Sequence, residues 1–597
     1  MRLASGAPRT LLTGVACAAL LAFNPGLVRS DDVPSVSAGA ATLLPSNVIA
    51  LAEFPRLGDS IETIMEHPLR ERLMGMPAYA AVMKSEPSKR LQMGIATFEG
   101  SMQQPWRKAV QTLTDGGLTI ALSPENDGSV AILLSSSDPQ ALERLQEFVL
   151  GLQLLSGKSA KQASYRELTV HDVADGAKMV VFDNWMLLVN KPQFGKAIID
   201  QYLDHGRTSL QENPRFVQAQ QQLQLSATDQ PAAWAFLDVE TIRSAGLAKE
   251  LFKERVDNYF GELVFGGVLA NIRQTPFATL KLDLDPSGVA LHATTPHDRQ
   301  WEAPREYFFG EESAAAAPAL LQVDERLFAV STHRDLSQMW LRSGDFLGDK
   351  VLEQMAQADT QLTTFFSGLD FGEDILGAVE PGIQLVGKVQ AYADGAPVPA
   401  VKFPAFAVQF RMKDPESTRS ELRRVFQSFV GFLNITGAQN GQSPLDLGME
   451  SVGSAQLYTA TYVPNRDLVD RQQAPVFFNF SPTVAFVGDH FILSSTTALA
   501  RELCGVDDKS IATAESGTAN TLASVDAEIG RRALEANRTH LVASNMLEKG
   551  HSKEAADAEI GLLLEIIDYF DDANFSLDVT DQQMQMNLKV DVDTNNR

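Results

Sequence analysis

Residues 180–188 read VVFDNWMLL and residues 485–493 read AFVGDHFIL, and these two stretches decide the fold. They align without a gap as an apolar strand, a two-residue turn and a second strand. The turn pairs, Asp-Asn and Gly-Asp, tolerate the positive φ angles that a two-residue hairpin requires. The sequence therefore predicts that one β-hairpin occurs twice in this chain.

Four further signatures recur in the same order in both halves. They are a strand running into a helix start at 48–59 and 327–335, a strand followed by an Asp-Pro helix start at 130–139 and 406–415, a strand with an acidic cap at 234–240 and 522–528, and a final hairpin at 280–293 and 575–590. Asp accepts the free N–H groups of a first helical turn, and Pro suits the first helical position. The repeated order predicts an internal duplication.

The final hairpins alternate apolar and polar residues, which is typical of strands with one buried and one solvated face. We expect an α+β fold of two homologous halves, each a mainly antiparallel twisted sheet with helices packed on one face. The expected segments are a signal peptide at 1–30, a flexible N-terminus at 31–43, a first repeat at 44–297, a linker at 298–319, a second repeat at 320–592 and a tail at 593–597.

Two sets of apolar residues at helical spacing follow the Asp-Pro pairs, and two more precede the final hairpins. They are Leu142, Leu145, Phe148, Val149 and Leu152; Leu422, Val425, Phe429 and Phe432; Leu263, Val264, Val268, Leu269 and Ile272; and Leu562, Leu563, Ile566, Ile567 and Phe570. The first two sets predict helices, and core packing is the ordinary interpretation of the last two. For the last two sets, the alternative is a groove for a lipid or an apolar peptide.

The first 30 residues are typical of a secretory signal. Basic Arg2 and Arg9 precede an apolar run from Leu11 to Phe23, which is too short to span a bilayer comfortably. Val28-Arg29-Ser30 suits cleavage before Asp31. The sequence predicts an exported, periplasmic or extracellular protein without a membrane span after cleavage; retention of the segment as an anchor is the alternative.

The chain is strongly acidic, with a formal net charge of −25. Cleavage of the signal would remove three Arg and no acid, so the mature value would be −28. Such a surface repels nucleic-acid phosphates and anionic lipid headgroups. The mature chain would keep one cysteine, Cys504, which excludes an intramolecular disulfide and is read as a small buried apolar residue.

One segment resembles the nucleophile block of a hydrolase. Gly58-Asp59-Ser60 follows a strand, as in Gly-Asp-Ser hydrolases, but those enzymes take their base from an Asp-x-x-His segment. None of the nine histidines has Asp three residues before it, so a helix start is the favoured interpretation.

Metal motifs are equally incomplete. Asp283 opens a calcium-like loop, but position twelve is Thr294 where a bidentate Glu is required, which favours a turn. The histidines are scattered; His292 and His297, five residues apart, could ligate a metal only by accident of fold. We therefore assign no catalytic, cofactor-binding or metal residues and expect no cofactor.

Three blocks carry a resemblance to a known family. Leu44-Pro45-Ser46-Asn47-Val48 opens the mature chain, a strand-turn-strand-Ser/Thr-helix block runs from Gly488 to Leu503, and Leu210–Phe216 reads LQENPRF. The pattern resembles exported bacterial proteins described only as a domain of unknown function, although the second half lacks the last block. The resemblance implies an envelope or secreted location and no established activity.

These observations favour a non-enzymatic binding or scaffolding protein of the bacterial envelope, with a protein or an apolar ligand as partner. The alternatives are a hydrolase of an envelope polymer or peptide and a carrier of an apolar ligand in a cleft between the repeats. A scaffold predicts an exposed apolar patch, a carrier an enclosed apolar cavity, and an enzyme a cleft with a strongly perturbed carboxylate or histidine.

Overall fold

The computed structural model describes residues 39–593, apart from several short gaps. The predicted signal peptide at 1–30, residues 31–38, most of the tail and His205 lie outside the described residues, as do residues 311–314 of the predicted linker. The gaps are 68, 76–78, 80–82, 126–127, 158–160, 174–175, 205–207, 226–229, 311–314, 367, 465–472 and 506–517.

The fold is α+β, as predicted, and the chain forms two units. Unit 1 contains the described residues up to 249 and residues 275–295, and unit 2 contains residues 250–274 and 296–593. Residues 250–274 fall inside the predicted first repeat, 44–297, although they pack with unit 2. The boundaries of the predicted repeats therefore differ from those of the units.

Among the described residues, unit 1 contains ten strands that pair in an antiparallel manner. They are β1 (Ala50–Phe54), β2 (Leu118–Ser123), β3 (Ser129–Ser135), β4 (Gln162–Tyr165), β5 (Leu168–Asp172), β6 (Lys178–Phe182), β7 (Trp185–Val189), β8 (Ala233–Leu237), β9 (Ala278–Asp285) and β10 (Gly288–Pro296). Their order across the sheet is β4-β5-β6-β7-β3-β2-β1-β8-β9-β10.

Helices cover both faces of this sheet. They are α1 (Leu57–Glu66), α2 (Leu69–Gly75), α3 (Glu86–Met102), α4 (Trp106–Leu113), α5 (Pro139–Leu155), α6 (Pro192–Asp204), α7 (Pro214–Leu223) and α8 (Val239–Ser244). Val180 of β6 packs in one core with Ile198 of α6, whereas its neighbour Met179 packs on the other face with Leu142 of α5. The prediction of helices on one face is wrong here, because β6 and β7 are continuous apolar runs that bury both faces.

In the part of unit 2 that the structure describes, ten further strands pair in an antiparallel manner. They are β11 (Arg326–His333), β12 (Val379–Lys388), β13 (Ala405–Met412), β14 (Leu445–Val452), β15 (Ala455–Tyr462), β16 (Thr483–Val487), β17 (His490–Ser494), β18 (Ala519–Asp526), β19 (Phe570–Val579) and β20 (Gln583–Val592). Their order is β14-β15-β16-β17-β13-β12-β11-β18-β19-β20. This order matches that of unit 1 strand for strand, while common ancestry of the halves stays a prediction.

The helices of unit 2 also lie on both faces of its sheet. They are α9 (Tyr259–Gln274), α10 (Glu306–Phe309), α11 (Leu336–Leu341), α12 (Asp349–Phe365), α13 (Pro415–Gln439), α14 (Thr497–Gly505), α15 (Ala527–Glu535), α16 (Arg538–Lys549) and α17 (Lys553–Ile567). Phe426 of α13 packs with Phe486 of β16, whereas Leu499 of α14 packs on the opposite face with Ala485.

The acidic caps that the sequence predicts begin equivalent helices. Asp138 accepts from the N–H of Gln140 at 3.0 Å, and Asp414 accepts from that of Glu416 at 3.1 Å. Further caps are Asp238 on α8, Asp335 on α11 and Asp526 on α15. Asp59 is an exception: it lies inside the first turn of α1, whose N-cap is Arg56.

Both predicted two-residue hairpins are present. Phe182 pairs with Trp185 across Asp183-Asn184, and Val487 pairs with His490 across Gly488-Asp489. The first residue of each turn has a positive φ, 45° at Asp183 and 56° at Gly488. Short polar turns at these positions therefore set the register of the strands on either side.

Candidate binding surfaces

The C-terminal half of α5 in unit 1 exposes apolar side chains. Leu142 near the start of the helix is fully buried, but Leu152 is 46% exposed and Leu155 is 85% exposed, with Leu154 beside them at 61%. Exposed apolar residues are ordinary when they are scattered singly. Three on the last turn of one helix form a local apolar surface.

A groove of about 260 Å³ runs beside this surface, between α3 and α5. Phe98 of α3 and Phe148 of α5 pack edge to face, with ring centroids 5.5 Å apart. The groove is lined by Thr97, Ser101, Arg144, Glu147, Phe148, Gly151, Leu152 and Leu155. Gly151 faces open space, so no neighbouring group fills the place where a side chain would stand.

The equivalent helix of unit 2, α13, shows the same division along its length. Leu422, Phe426 and Val430 are buried in the core, whereas exposed apolar side chains lie on the other flank of its C-terminal half. The exposed fractions are 39% for Phe429, 52% for Phe432 and 65% for Ile435. The helix predicted from the spacing of Phe429 and Phe432 is present, and both side chains lie on its exposed flank.

Strand β14 continues this apolar surface. Asn434 of α13 holds the start of β14 through two hydrogen bonds to Leu445: its side-chain N–H donates to the carbonyl at 2.9 Å, and its side-chain oxygen accepts from the amide at 2.7 Å. Leu447 and Met449 share a strand face with the buried Leu445 because side chains alternate along a strand. They are 47% and 72% exposed.

The two surfaces contain no charged residues, although 21% of the whole chain is charged. Residues 425–445 read VFQSFVGFLNITGAQNGQSPL, and residues 148–157 read FVLGLQLLSG. An exposed, uncharged, apolar surface on a chain of net charge −25 suits association with another apolar surface. We call residues 148–157 the unit 1 surface, and Phe429, Phe432, Ile435, Leu447 and Met449 the unit 2 surface.

The Gly-Asp-Ser segment is structural. Ser60 donates to the carbonyl of Arg56 at 3.1 Å, which is an ordinary helical contact. An added Cβ on Gly58 would lie 2.8 Å from Cα of Gln111, so glycine permits the close packing of α1 on α4. Asp59 pairs with Arg56 at 2.6 Å.

The calcium-like segment is a turn, as the sequence favoured. The Asp285 carboxylate accepts from the Ser287 amide at 2.6 Å, and β9 and β10 pair on either side. His297 is buried, with one ring nitrogen 2.8 Å from the Asn271 side-chain oxygen and the other 2.8 Å from Glu302. In the part of the chain that the structure describes, no group of three His, Cys, Asp or Glu side chains could hold a metal ion.

The stripes that precede the final hairpins are partly core and partly surface. Val268 of α9 is buried, but Val264 is 51% exposed; on α17, Leu563 and Ile566 are 45% and 40% exposed. Cys504 packs against the core of unit 2, where burial and then the Glu450 charge raise the pKa of its thiol to about 11. A thiol with that pKa is a weak nucleophile at neutral pH.

A buried polar network ties α9 to the rest of unit 2. Glu262 accepts from the Arg305 guanidinium at 2.6 Å and from the Tyr307 hydroxyl at 2.9 Å. Arg334 donates to the carbonyl of Leu263 at 2.7 Å and to the side chain of Asn520 at 2.8 Å. These contacts explain why residues 250–274 belong to unit 2, since buried charges require such partners.

Among the carboxyl and imidazole groups of the described residues, Glu53 and His333 have strongly perturbed pKa values. Burial raises the pKa of Glu53 to about 7. Burial, reinforced by the Arg334 charge, lowers the pKa of His333 to about 4. An enzyme would place such groups in a cleft beside its substrate. Neither residue is among those that line the groove of unit 1.

Comparison with known proteins gives a family without an assigned activity. Residues 89–385 match the model of the family described as "Protein of unknown function (DUF3352)". The match confirms the predicted resemblance to a domain of unknown function. It begins in α3 and ends in β12, so it includes parts of both predicted repeats. No curated protein matches the chain.

Crystal structures of a protein named TP0453 resemble part of the chain only weakly. Crystal form III is 12% identical, covers 44% of this chain and 80% of its own, and has a TM-score of 0.24. Crystal form I is 11% identical, covers 43% and 79%, and has a TM-score of 0.23. Similarity at this level carries no argument about fold or function.

The sequence contained a signal for the two surfaces, but helical spacing alone did not show it. Apolar residues at helical spacing occur on buried and exposed flanks alike. The informative feature is the absence of charge over residues 425–445, where a solvated helix flank normally carries Lys, Arg, Glu or Asp. Separately, each helix of the described chain is too short or too polar to cross a bilayer.

Proposed function

We propose that this chain is an exported, non-enzymatic binding protein of the bacterial envelope, and that α5 and α13 are its docking helices. One observation carries the proposal. Two helices at equivalent positions in the strand order, each begun by an Asp-Pro pair, both expose uncharged apolar C-terminal halves. Their buried flanks form part of the unit cores, so the exposed residues lie outside those cores.

The clustering of exposed apolar side chains supports association. The largest apolar patch on a typical monomer covers about 300–600 Å² and is often functional. Leu152, Leu154 and Leu155 occupy the last turn of α5, beside a groove that a partner's apolar side chains can enter. The acidic remainder of the protein disfavours non-specific binding to nucleic acid and to anionic lipid.

Site-specific photo-crosslinking in the exported fraction tests the proposal. A photoreactive phenylalanine analogue replaces Leu155 or Ile435, and the control position is Arg424, which is exposed on α13 but lies outside the uncharged stretch. We expect discrete adducts at the first two positions, which Phe432→Asp or Leu152→Asp in the same surface removes. Equal labelling at Arg424, or no adduct at any position, would contradict the proposal.

The carrier hypothesis has one specific observation in its favour, the groove of unit 1. Its volume of about 260 Å³ would hold part of an apolar chain, between Phe148 and Leu155. Native mass spectrometry of the protein purified from its own exported fraction distinguishes the two functions. A small extra mass that denaturation releases would favour a carrier, whereas a clean chain mass or a protein complex favours docking.

A further inference from the structure

The unit 2 surface has features that select one partner. We infer that a second copy of this chain binds there, with β14 pairing edge to edge with the β14 of the copy and the two α13 helices meeting over the joined sheet. The inference rests on the proposed function, because it names the occupant of one of the two docking helices.

The position of β14 is the first argument. Among the strands that the structure describes, β14 pairs with β15 alone and stands last in the order of unit 2. An exposed end strand offers backbone N–H and C=O groups to another strand. Pairing two copies of β14 in an antiparallel manner produces a twofold axis, which is the symmetry of most soluble dimers.

The side chains beside β14 are the second argument. Leu447 and Met449 stand on the face that α13 covers, next to the exposed flank with Phe432. Edge pairing would bring both apolar flanks together on one side of the joined sheet, so that helix packs on helix. On the strand's other face, Glu450 is held by Arg501 with 2.6 Å and 2.8 Å contacts, so its charge is compensated.

The area is sufficient when backbone pairing is included. With about 150–250 Å² for each large side chain, the exposed fractions of the five residues amount to roughly 500 Å² of apolar surface. A stable interface buries about 800 Å² per partner. The edge of an eight-residue strand and the flank of a 25-residue helix supply the remainder.

Charge is the argument for a copy of this chain. Two molecules of net charge −25 repel each other wherever charged surfaces meet. Residues 425–445 form a long stretch without charge, and the acids of β14, Asp446 and Glu450, lie on the other face of the strand, so the apolar flanks of two copies can approach at a low electrostatic cost. An interface of this kind tightens with added salt, because salt screens the repulsion and strengthens apolar association.

Sedimentation velocity of the full mature chain tests the inference. We expect a reversible dimer at micromolar concentration, with a dissociation constant at least about threefold lower in 500 mM than in 50 mM NaCl. Phe432→Asp combined with Met449→Asp should leave a monomer. The matched control, Leu152→Asp with Leu155→Asp on the unit 1 surface, should leave the dimer intact.

Cysteine crosslinking keeps the inference testable if the aspartate variants fold poorly. In a Cys504→Ala background, single cysteines replace Leu447, Met449 or Ser451 in turn, and mild oxidation should join two copies at the position nearest the twofold axis. A cysteine at Leu155 serves as the control and should not crosslink. A dimer that resists both aspartates, or equal crosslinking at Leu155, would overturn the inference.

Two other outcomes would also overturn it. The first is a monomer at every concentration, and the second is a monomer that floats with phosphatidylcholine vesicles through Phe432, which would assign the surface to lipid. Photo-crosslinking at Leu155 shows whether either outcome overturns only the dimer or also the proposed function. A foreign protein captured there, and lost in Leu152→Asp, would keep unit 1 as a docking unit.

Discussion

Glu53 in unit 1 and Ser331 in unit 2 occupy equivalent positions in the two sheets. Glu53 faces Thr119 on one side and Trp234 on the other, as Ser331 faces Gln384 and Leu522. The Ser331 hydroxyl donates to the carbonyl of Pro318, whereas burial alone raises the pKa of Glu53 to about 7. The same sheet position therefore holds a hydrogen-bonded hydroxyl in unit 2 and a desolvated carboxyl in unit 1. Of the two, only the carboxyl of unit 1 titrates.

Three residues further along, Arg56 and Arg334 show the opposite contrast. Arg56 is exposed and pairs with Asp59, whereas Arg334 is 3% exposed, donates to backbone carbonyls, and lies 3.5 Å from the centre of the Phe308 ring. Burial lowers the pKa of Arg334 to about 9. The two arginines therefore contribute differently to stability because their surroundings differ. The identity of the residue alone does not show this difference.

The arginine pair gives the largest expected difference. Arg334→Ala should lower the free energy of unfolding of unit 2 by roughly 3–5 kcal/mol, because it removes the buried guanidinium that donates to the Leu263 carbonyl and to Asn520 and opens a cavity beside Phe308. Arg56→Ala should cost about 1 kcal/mol or less, as expected for an exposed ion pair. Urea denaturation followed by tryptophan fluorescence measures both. Equal losses would show that the two positions are not energetically distinct.

The carboxyl position gives the next largest effect, and it depends on pH. A pKa of about 7 in the folded chain against 4.5 for a free Glu means that folding favours the protonated form. Its contribution to stability is therefore full below pH 4.5 and is lost as the pH rises through 7, by about 3 kcal/mol in all. Glu53→Gln should stabilise unit 1 by about that amount at pH 8 and by almost nothing at pH 4.

The matched variant in unit 2 is Ser331→Ala. It removes a buried donor to the Pro318 carbonyl, so we expect a loss of about 1 kcal/mol that does not change between pH 4 and pH 8. Thermal unfolding of both variants across this pH range provides the measurement. A Glu53→Gln effect that is independent of pH would mean that Glu53 is solvated in the folded protein.

The sequence predicted the local features of the fold well, because each rests on interactions between near neighbours. Asp138 and Asp414 cap their helices, and Asp183 and Gly488 begin two-residue turns, as expected from residue type. Period-two alternation correctly located the final hairpins. A capping carboxylate or a positive φ needs no tertiary partner, so a few neighbouring residues are enough to predict it.

Long-range features were harder to predict. Helices cover both sheet faces, and α9 packs with unit 2 through Glu262 and Arg305, which are 43 residues apart. Phe432 and Leu155 have helical spacing that suits a core, yet both are exposed. Which flank of an apolar helix is covered depends on elements elsewhere in the chain, so periodicity alone cannot decide it.

A glycine pair extends the comparison to α9 and α17. Gly266 and Gly561 lie in the helices that precede the final hairpins, but an added Cβ would overlap the Tyr307 hydroxyl at Gly266 and would lie 3.3 Å from the Arg538 guanidinium at Gly561. Gly266→Ala should therefore cost about 1–3 kcal/mol through overpacking. Gly561→Ala should stabilise by roughly 0.5–1 kcal/mol, since the flexible arginine can move and alanine favours the helix. Stabilisation by both in thermal unfolding would show that the α9 contact is loose.

The smallest expected effect on stability concerns the two docking helices. Leu155→Glu and Ile435→Glu change side chains that are 85% and 65% exposed, so each should alter the free energy of unfolding by less than about 0.5 kcal/mol. Leu142→Ala and Val430→Ala, on the buried flanks of the same helices, should each cost about 1–5 kcal/mol.

The same four variants separate docking from folding when urea unfolding is combined with photo-crosslinking. With the photoreactive analogue moved to the neighbouring Leu152 or Phe432, the glutamates should remove adducts while the midpoint of unfolding stays in place, because the exposed residues contribute little to the core. A large fall in the midpoint for Leu155→Glu or Ile435→Glu would mean that the exposed halves stabilise the units themselves. In that case the exposed halves of α5 and α13 would stabilise their own units, and they would not be docking surfaces.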